Sequence, residues 1–181
     1  MNNELRTSRL RLVPITFEIA DASLNDRQLL SEIVGARVAD GWPNPDFADA
    51  LPYIRADVGR KPTFANWSRA IIHANDNVVI GDAGFKSLPN KDGSVEIGYG
   101  IASSYRNQGL AAEAARALIA WAFEHANVRQ VTAECREDNF ASKRVLEKLG
   151  MDCTGTQSTK NGTLLKWRIR RPDVTRGFVR D

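Results

Sequence analysis

At 181 residues, 43% hydrophobic and 26% charged, the chain suits one soluble globular domain over residues 1–181, which at this size buries roughly 70% of its unfolded surface. No apolar run approaches the roughly 18 residues of a membrane span, and the amino terminus lacks the apolar block of a secretory signal. Cys135, Cys153, His73 and His125 show no metal-ligand spacing, so a reduced, cytoplasmic protein without a metal is expected. The net charge of +3 is uneven: Lys160 to Asp181 holds seven basic and two acidic residues, and the rest of the chain is slightly acidic. Such a tail can attract a polyanion, or it can be a solvated last strand and exposed end.

In chain order, Leu10 to Pro14 reads as a first strand closed by the proline. Apolar residues between Thr16 and Gly35 predict one or two helices, and Asp46 is placed as the N-cap of a helix running toward Val58. Strands follow over Trp67 to Ala74 and Val78 to Phe85, joined by a turn at Asn75-Asp76-Asn77. The next strand, Ser94 to Ile101, alternates: Val95, Ile97, Tyr99 and Ile101 share one face, and Glu96, Gly98 and Gly100 the other. Leu110, Ala114, Ala117, Leu118, Trp121 and Ala122 recur at helical spacing from about Gly109 to Ala126. A strand at Val131 to Cys135 and a helix from Asn139 to Leu149 come next, the helix capped by Asn139 and ended by Gly150. Two last strands, near Asp152 to Ser158 and Thr163 to Arg170, flank a turn at Asn161-Gly162. The order is that of a mixed sheet with one βαβ unit at its centre.

The turn Ser104-Tyr105-Arg106-Asn107-Gln108-Gly109-Leu110-Ala111 separates the alternating strand from the long helix. A helix start leaves backbone N–H groups without partners and favours negative charge. Gly109 removes a side chain that would block close approach, and Arg106 adds a fixed planar cation. Together they form a cradle suited to a pyrophosphate, although an ordinary strand-to-helix turn has the same ingredients.

Arg106-x-x-Gly109-x-Ala111 resembles the Gln/Arg-x-x-Gly-x-Gly/Ala loop of the GNAT superfamily of acyl-CoA-dependent N-acyltransferases. Asn139-x-x-Ser142 followed by Leu146-Glu147-Lys148-Leu149-Gly150-Met151 is similar to that family's second motif. Thr7 to Leu12 resembles the first strand of the RimJ/RimL-like branch, which includes acetyltransferases of ribosomal-protein amino termini. The resemblance implies an α/β (α+β) GNAT fold: a central mixed, mostly antiparallel twisted sheet of about seven strands, flanked by helices, with a splayed parallel pair.

It also implies acetyl-CoA as co-substrate and an amine acceptor, either a peptide amino terminus or a small molecule. Arg106, Asn107, Gln108, Gly109, Leu110 and Ala111 would hold the CoA pyrophosphate. Ile101 and Ala102 would receive the pantetheine arm, helped by Asn139, and a backbone N–H between Tyr99 and Ile101 would polarise the thioester carbonyl. Glu96, on the face of Gly98 and Gly100, is the candidate general base, with Glu134 as its rival; both can equally be solvated strand residues. Leu146 stands where many family members carry a tyrosine. Attention at the thiol end therefore moves to Ser142, which can donate a hydrogen bond there or merely cap its helix. The acceptor side is assigned to the first helices and to loops near Trp42, Phe64 and the last hairpin.

A dinucleotide-binding reading of Gly98-Tyr99-Gly100-Ile101-Ala102-Ser103 fails, because Ser103 replaces the third glycine and the first two lie inside a strand. A CoA-binding protein of the same fold without turnover is the alternative function. Neither nucleic acid nor membrane is expected as a partner, and a monomer and a homodimer fit equally.

Overall fold

A computed structural model describes residues 3–172; the end of the basic tail, from residue 173 on, lies outside the described residues. Nine strands form one sheet among them: β1 (Leu5–Arg6), β2 (Leu10–Pro14), β3 (Arg37–Val38), β4 (Ser68–His73), β5 (Val78–Phe85), β6 (Ser94–Ile101), β7 (Gln130–Arg136), β8 (Asp152–Thr159) and β9 (Gly162–Arg170). Their order is β1-β2-β4-β5-β6-β7-β9-β8, with β3 paired in parallel to the start of β5. The seven strands read from the sequence are all present. The two additional ones, β1 and β3, have two residues each, too short for any alternation to register.

Five α-helices cover the sheet among the described residues: α1 (Phe17–Asn25), α2 (Arg27–Val34), α3 (Pro45–Arg60), α4 (Leu110–Phe123) and α5 (Phe140–Lys148). Four starts follow the capping rule, with the side chains of Thr16, Asp26, Asn44 and Asn139 accepting backbone N–H bonds. The cap of α3 is Asn44, not Asp46. Pro45 is preset for the first helical position, which moves Asp46 into the first turn.

The core has two layers. On one face of the sheet, Leu110, Ala114, Leu118 and Ala122 of α4 and Leu146 of α5 pack against Ile71, Ile80, Ile97 and Val131. On the other, Ile19, Leu30, Val34 and Leu51 from α1–α3 pack against Ala70, Ile72 and Val79. Leu118 and Leu51 are fully buried, each worth about 2 kcal/mol of apolar burial. Among the described residues no helix is long and apolar enough to cross a membrane.

Two irregularities open this sheet. The parallel pair β6–β7 bonds only from Ser94–Glu96 to Gln130–Thr132, so both strands run on without each other. In β5 an extra residue, Ile80, separates the pairs Ile71–Gly81 and Ile72–Val79. That bulge reverses the alternation: Ile80 and Ala83 both join the α4 face, and Asp82 turns to the α3 face.

Candidate active site

A cleft of about 1380 Å³ runs from the α4 and α5 helix starts, across β6 and β5, to the inner side of α3. At the first end its wall includes Arg106, Asn107, Gly109, Leu110 and Ala111. Gly109 (φ +78°) and Asn107 (φ +61°) both adopt left-handed backbone, which glycine and asparagine tolerate best. α4 has no side-chain cap, and its first backward hydrogen bond runs from Glu113 N–H to Gly109 C=O. The N–H groups of Leu110, Ala111 and Ala112 thus have no acceptor within the helix. Arg106 is exposed, and its Nε donates to Ile101 C=O at 3.0 Å, which ties the cation to the end of β6.

The loop is braced by residues that sequence reasoning missed. Arg9 donates from Nη1 to Gln108 C=O at 3.0 Å and from Nε to Glu113 Oε2 at 2.8 Å. Glu113 Oε1 also accepts from Ser8 Oγ at 3.1 Å and Arg9 N–H at 3.0 Å, and from the Thr7 hydroxyl. Burial pushes the Glu113 carboxyl up, but the bonds from Thr7, Arg9 and Ser8 outweigh it and hold the pKa below 4.5. The stability this network supplies is therefore present above pH 4.5 and lost as acid protonates Glu113. Replacing Glu113 with glutamine is expected to raise the KM for acetyl-CoA several-fold while kcat changes little, measured by initial rates; an unchanged KM would detach the brace from the loop.

Ile101, Asn139 and Ser142 also line the cleft, joined by Arg144, Val145 and Lys148 of α5. Asn139 Oδ1 accepts the Ser142 N–H at 3.0 Å. The hydroxyl of Tyr99 reaches Ser142 C=O at 3.5 Å, and burial pushes this phenol well above its ordinary pKa. Leu146 is buried in the core. Tyr105, also on the wall, donates its hydroxyl to Asp76 Oδ2 at 2.9 Å.

Three expected site residues lie off the cleft wall. Ala102 is buried, its N–H donated to Ile80 C=O and its C=O taken by Tyr105 N–H. Gln108 turns its carbonyl to Arg9. Glu96 shares the face of Gly98 and Gly100, as the alternation predicts, but pairs with Lys86 Nζ at the last residue where β6 still bonds β7, short of the gap. Its rival Glu134 lies 3.6 Å from Lys166 Nζ.

The gap leaves one edge of β6 open. Bonds from Ala102 N–H to Ile80 C=O and from Lys86 N–H to Glu96 C=O fix the phase of the β5–β6 ladder. By antiparallel alternation, the backbone groups of Tyr99 and Ile101 then face β7, which pairs with β6 no further than Thr132. Arg106 reaching Ile101 C=O agrees with that phase.

Past β6 the floor is bare. A side chain added at Gly98 would meet nothing within 4 Å, whereas one at Gly100 would lie 2.3 Å from Asn44 Nδ2. Next to them sits Asp82, paired with Gly100 across the ladder, 6% exposed and part of the cleft wall. Its Oδ1 accepts from Trp42 Nε1 at 3.1 Å and from Asn44 Nδ2 at 3.4 Å. Burial pushes its pKa up to about 7; the Trp42 bond opposes the rise and nearby Asp46 adds to it. Trp42, expected near the acceptor, is 2% exposed and reaches the site through this bond and by packing on Phe47, with ring centroids 5.9 Å apart. Asp46, Phe47, Tyr53, Asp57 and Phe64 form the far wall. The last hairpin contributes nothing to the wall among the described residues.

Residues 9–152 match the family model described as an acetyltransferase (GNAT) domain. An N-acetyltransferase of Bacillus subtilis strain 168, YjdG, is 38% identical over 148 residues, covering 81% of this chain and 88% of that protein. Among solved structures, the ribosomal-protein-S5-alanine acetyltransferase of Vibrio fischeri superposes with a TM-score of 0.66 at 16% identity, over 94% of this chain and 97% of that one. RimL, the ribosomal L7/L12 alpha-N-protein acetyltransferase, solved with coenzyme A, gives 0.64 at 18% identity, over 91% and 95%. The chain belongs to the GNAT acetyltransferases, in their RimJ/RimL-like group. It is accordingly an N-acetyltransferase that uses acetyl-CoA.

Proposed function

We propose that the protein transfers the acetyl group directly to a primary amine, and that the amine is the amino terminus of a protein. One observation carries the reading: the cleft is continuous from the unsatisfied N–H groups of α4 to the acidic and aromatic wall of α3. Donor and acceptor can therefore meet above Gly98 in one ternary complex. The solved neighbours named as acetyltransferases of ribosomal proteins, one of them an alpha-N-protein acetyltransferase, share this fold, which supports a peptide acceptor.

In this reading the pyrophosphate lies on the N–H groups of Leu110 to Ala112 beside Arg106 and Asn107, and Arg144 and Lys148 add positive charge for the remaining phosphate. The pantetheine arm follows the open edge of β6 past Asn139. An N–H of Tyr99 or Ile101 on that edge faces the thioester carbonyl and stabilises its developing negative charge. Ser142 and Tyr99 line the cleft together, and their hydroxyls are the candidates to donate to the departing sulfur. Among the described residues the cleft wall contains no cysteine, which favours direct transfer over an acetylated enzyme.

Initial rates of thiol release, with acetyl-CoA and a panel of amines varied together, test this. Intersecting double-reciprocal lines are expected, with peptides bearing a free amino terminus the better substrates. Parallel lines would overturn direct transfer, and no thiol release with any primary amine would overturn transfer to amines.

A further inference from the structure

We infer that Asp82 forms the amine subsite, docking the substrate ammonium through Oδ2 and taking its proton before attack. The inference deepens the proposed amine transfer and rests on it.

The geometry is specific. Both hydrogen bonds to this carboxylate arrive at Oδ1, from Trp42 and Asn44, and Oδ2 receives none from the described residues. Oδ2 is not among the buried polar atoms left without a partner, so it is reached from the cleft, where a cation can pair with the ionised carboxylate. The floor beside it is open over Gly98, where an added Cβ would meet nothing within 4 Å, while Asn44 covers Gly100 and Ser68 covers Gly84. Gly100 is required there, since a Cβ would collide with the Asn44 amide that holds Asp82. The position lies between the open edge of β6 and the α3 wall, where the amine must come to meet the thioester.

Among charged groups, α3 presents Asp46 and Asp57 to this part of the cleft, and Lys86 lies on the wall beyond the end of β5. On the same face, β4 and β6 offer Ser68, Ala70, Gly98 and Gly100 beside Asp82, and Glu96 farther along β6 is paired with Lys86. Arg27 of α2 is taken by the carbonyls of Val38, Ala39 and Trp42. Asp82 is therefore the buried acid of this cleft, with Asp46 raising its proton affinity.

The step balances. An N–H bond of the ammonium breaks, its proton passes to Asp82 Oδ2, and the lone pair left on nitrogen forms the C–N bond at the acetyl carbonyl carbon. The C–S bond then breaks with its electron pair going to sulfur. The thiolate takes the second proton that nitrogen loses, and Asp82 returns its own to solvent. A base with a pKa near the working pH is the efficient choice for this transfer.

Asp82→Asn and Asp82→Ala test the assignment, with alaninamide and n-butylamine as acceptors. Asp82→Asn should lower kcat/KM for the amine about 100- to 1000-fold and remove the wild-type rise in rate through pH 7, while calorimetric acetyl-CoA affinity stays within twofold. Added formate should partly restore the rate of Asp82→Ala, which a merely structural carboxylate would not allow. Asp46→Asn should move the wild-type pH break downward. Retention of rate within threefold and of the pH break in Asp82→Asn overturns Asp82 alone. A wild-type protein that binds acetyl-CoA but acetylates no amine brings down the transfer reading, and this role with it.

Discussion

Replacing Asp82 with asparagine should make the protein more stable at pH 8 while leaving its stability near pH 4 almost unchanged. The folded-state pKa is raised, from 3.8 to about 7, so between those values the folded protein binds more protons than the unfolded chain. Stability therefore falls as pH rises through this window, and the loss is complete above it. A difference of about three pKa units corresponds to on the order of 4 kcal/mol, or about 10 °C in Tm for a chain of this length. Asparagine carries no charge to bury. Its amide oxygen can still accept from Trp42 Nε1 and Asn44 Nδ2, as Oδ1 does now. Thermal melts of both proteins between pH 4 and 9 measure the gap directly. Parallel melting curves would show that Asp82 is ionised without cost. A variant more stable and less active is the combination expected when a strained group is kept for function.

The second large effect is expected at Gly81. A Cβ there would lie 2.2 Å from Gly100 O and 2.9 Å from Ile101 Cδ1. The first of these is backbone, so a shift of rotamer cannot relieve it; β5 and β6 must part next to the bulge. Gly81→Ala should cost about 3 kcal/mol and lower Tm by roughly 6–12 °C. The folded fraction should also lose activity, because the same displacement moves Gly100 and Asp82. Gly98→Ala is the matched control: with nothing within 4 Å of its Cβ, Tm should stay within about 2 °C. Equal losses at the two glycines would mean that the β5–β6 ladder yields more easily than its geometry suggests.

Much of the proposed donor end was legible in the linear sequence because its residues are local. The limits of β5 and β6 and the Asn139 cap follow from alternation and capping chemistry, and most of the loop from Arg106 to Ala111 lines the cleft. The residues placed off the cleft wall are those whose position depends on distant pairing. Gln108 lies within the motif and Ala102 at the strand end before it, but their backbone groups are claimed by Ile80, Tyr105 and Arg9. Glu96 was placed on the correct face by parity, yet parity does not tell how far along a strand its neighbour leaves. Asp82 was hidden for a sharper reason. Counting by twos puts it on the face of Val78 and Ile80, and only the bulge against β4 turns it into the cleft.

The two ends of the cleft come from different stretches of chain. In the proposed reading, apart from the brace at residues 7–9, the donor end draws on residues 99–148, whereas the acceptor end draws on residues 44–88. They meet on β6, over glycines that offer no side chain to either. Changes between relatives within residues 42–88 are therefore expected to alter the choice of acceptor more than the handling of acetyl-CoA.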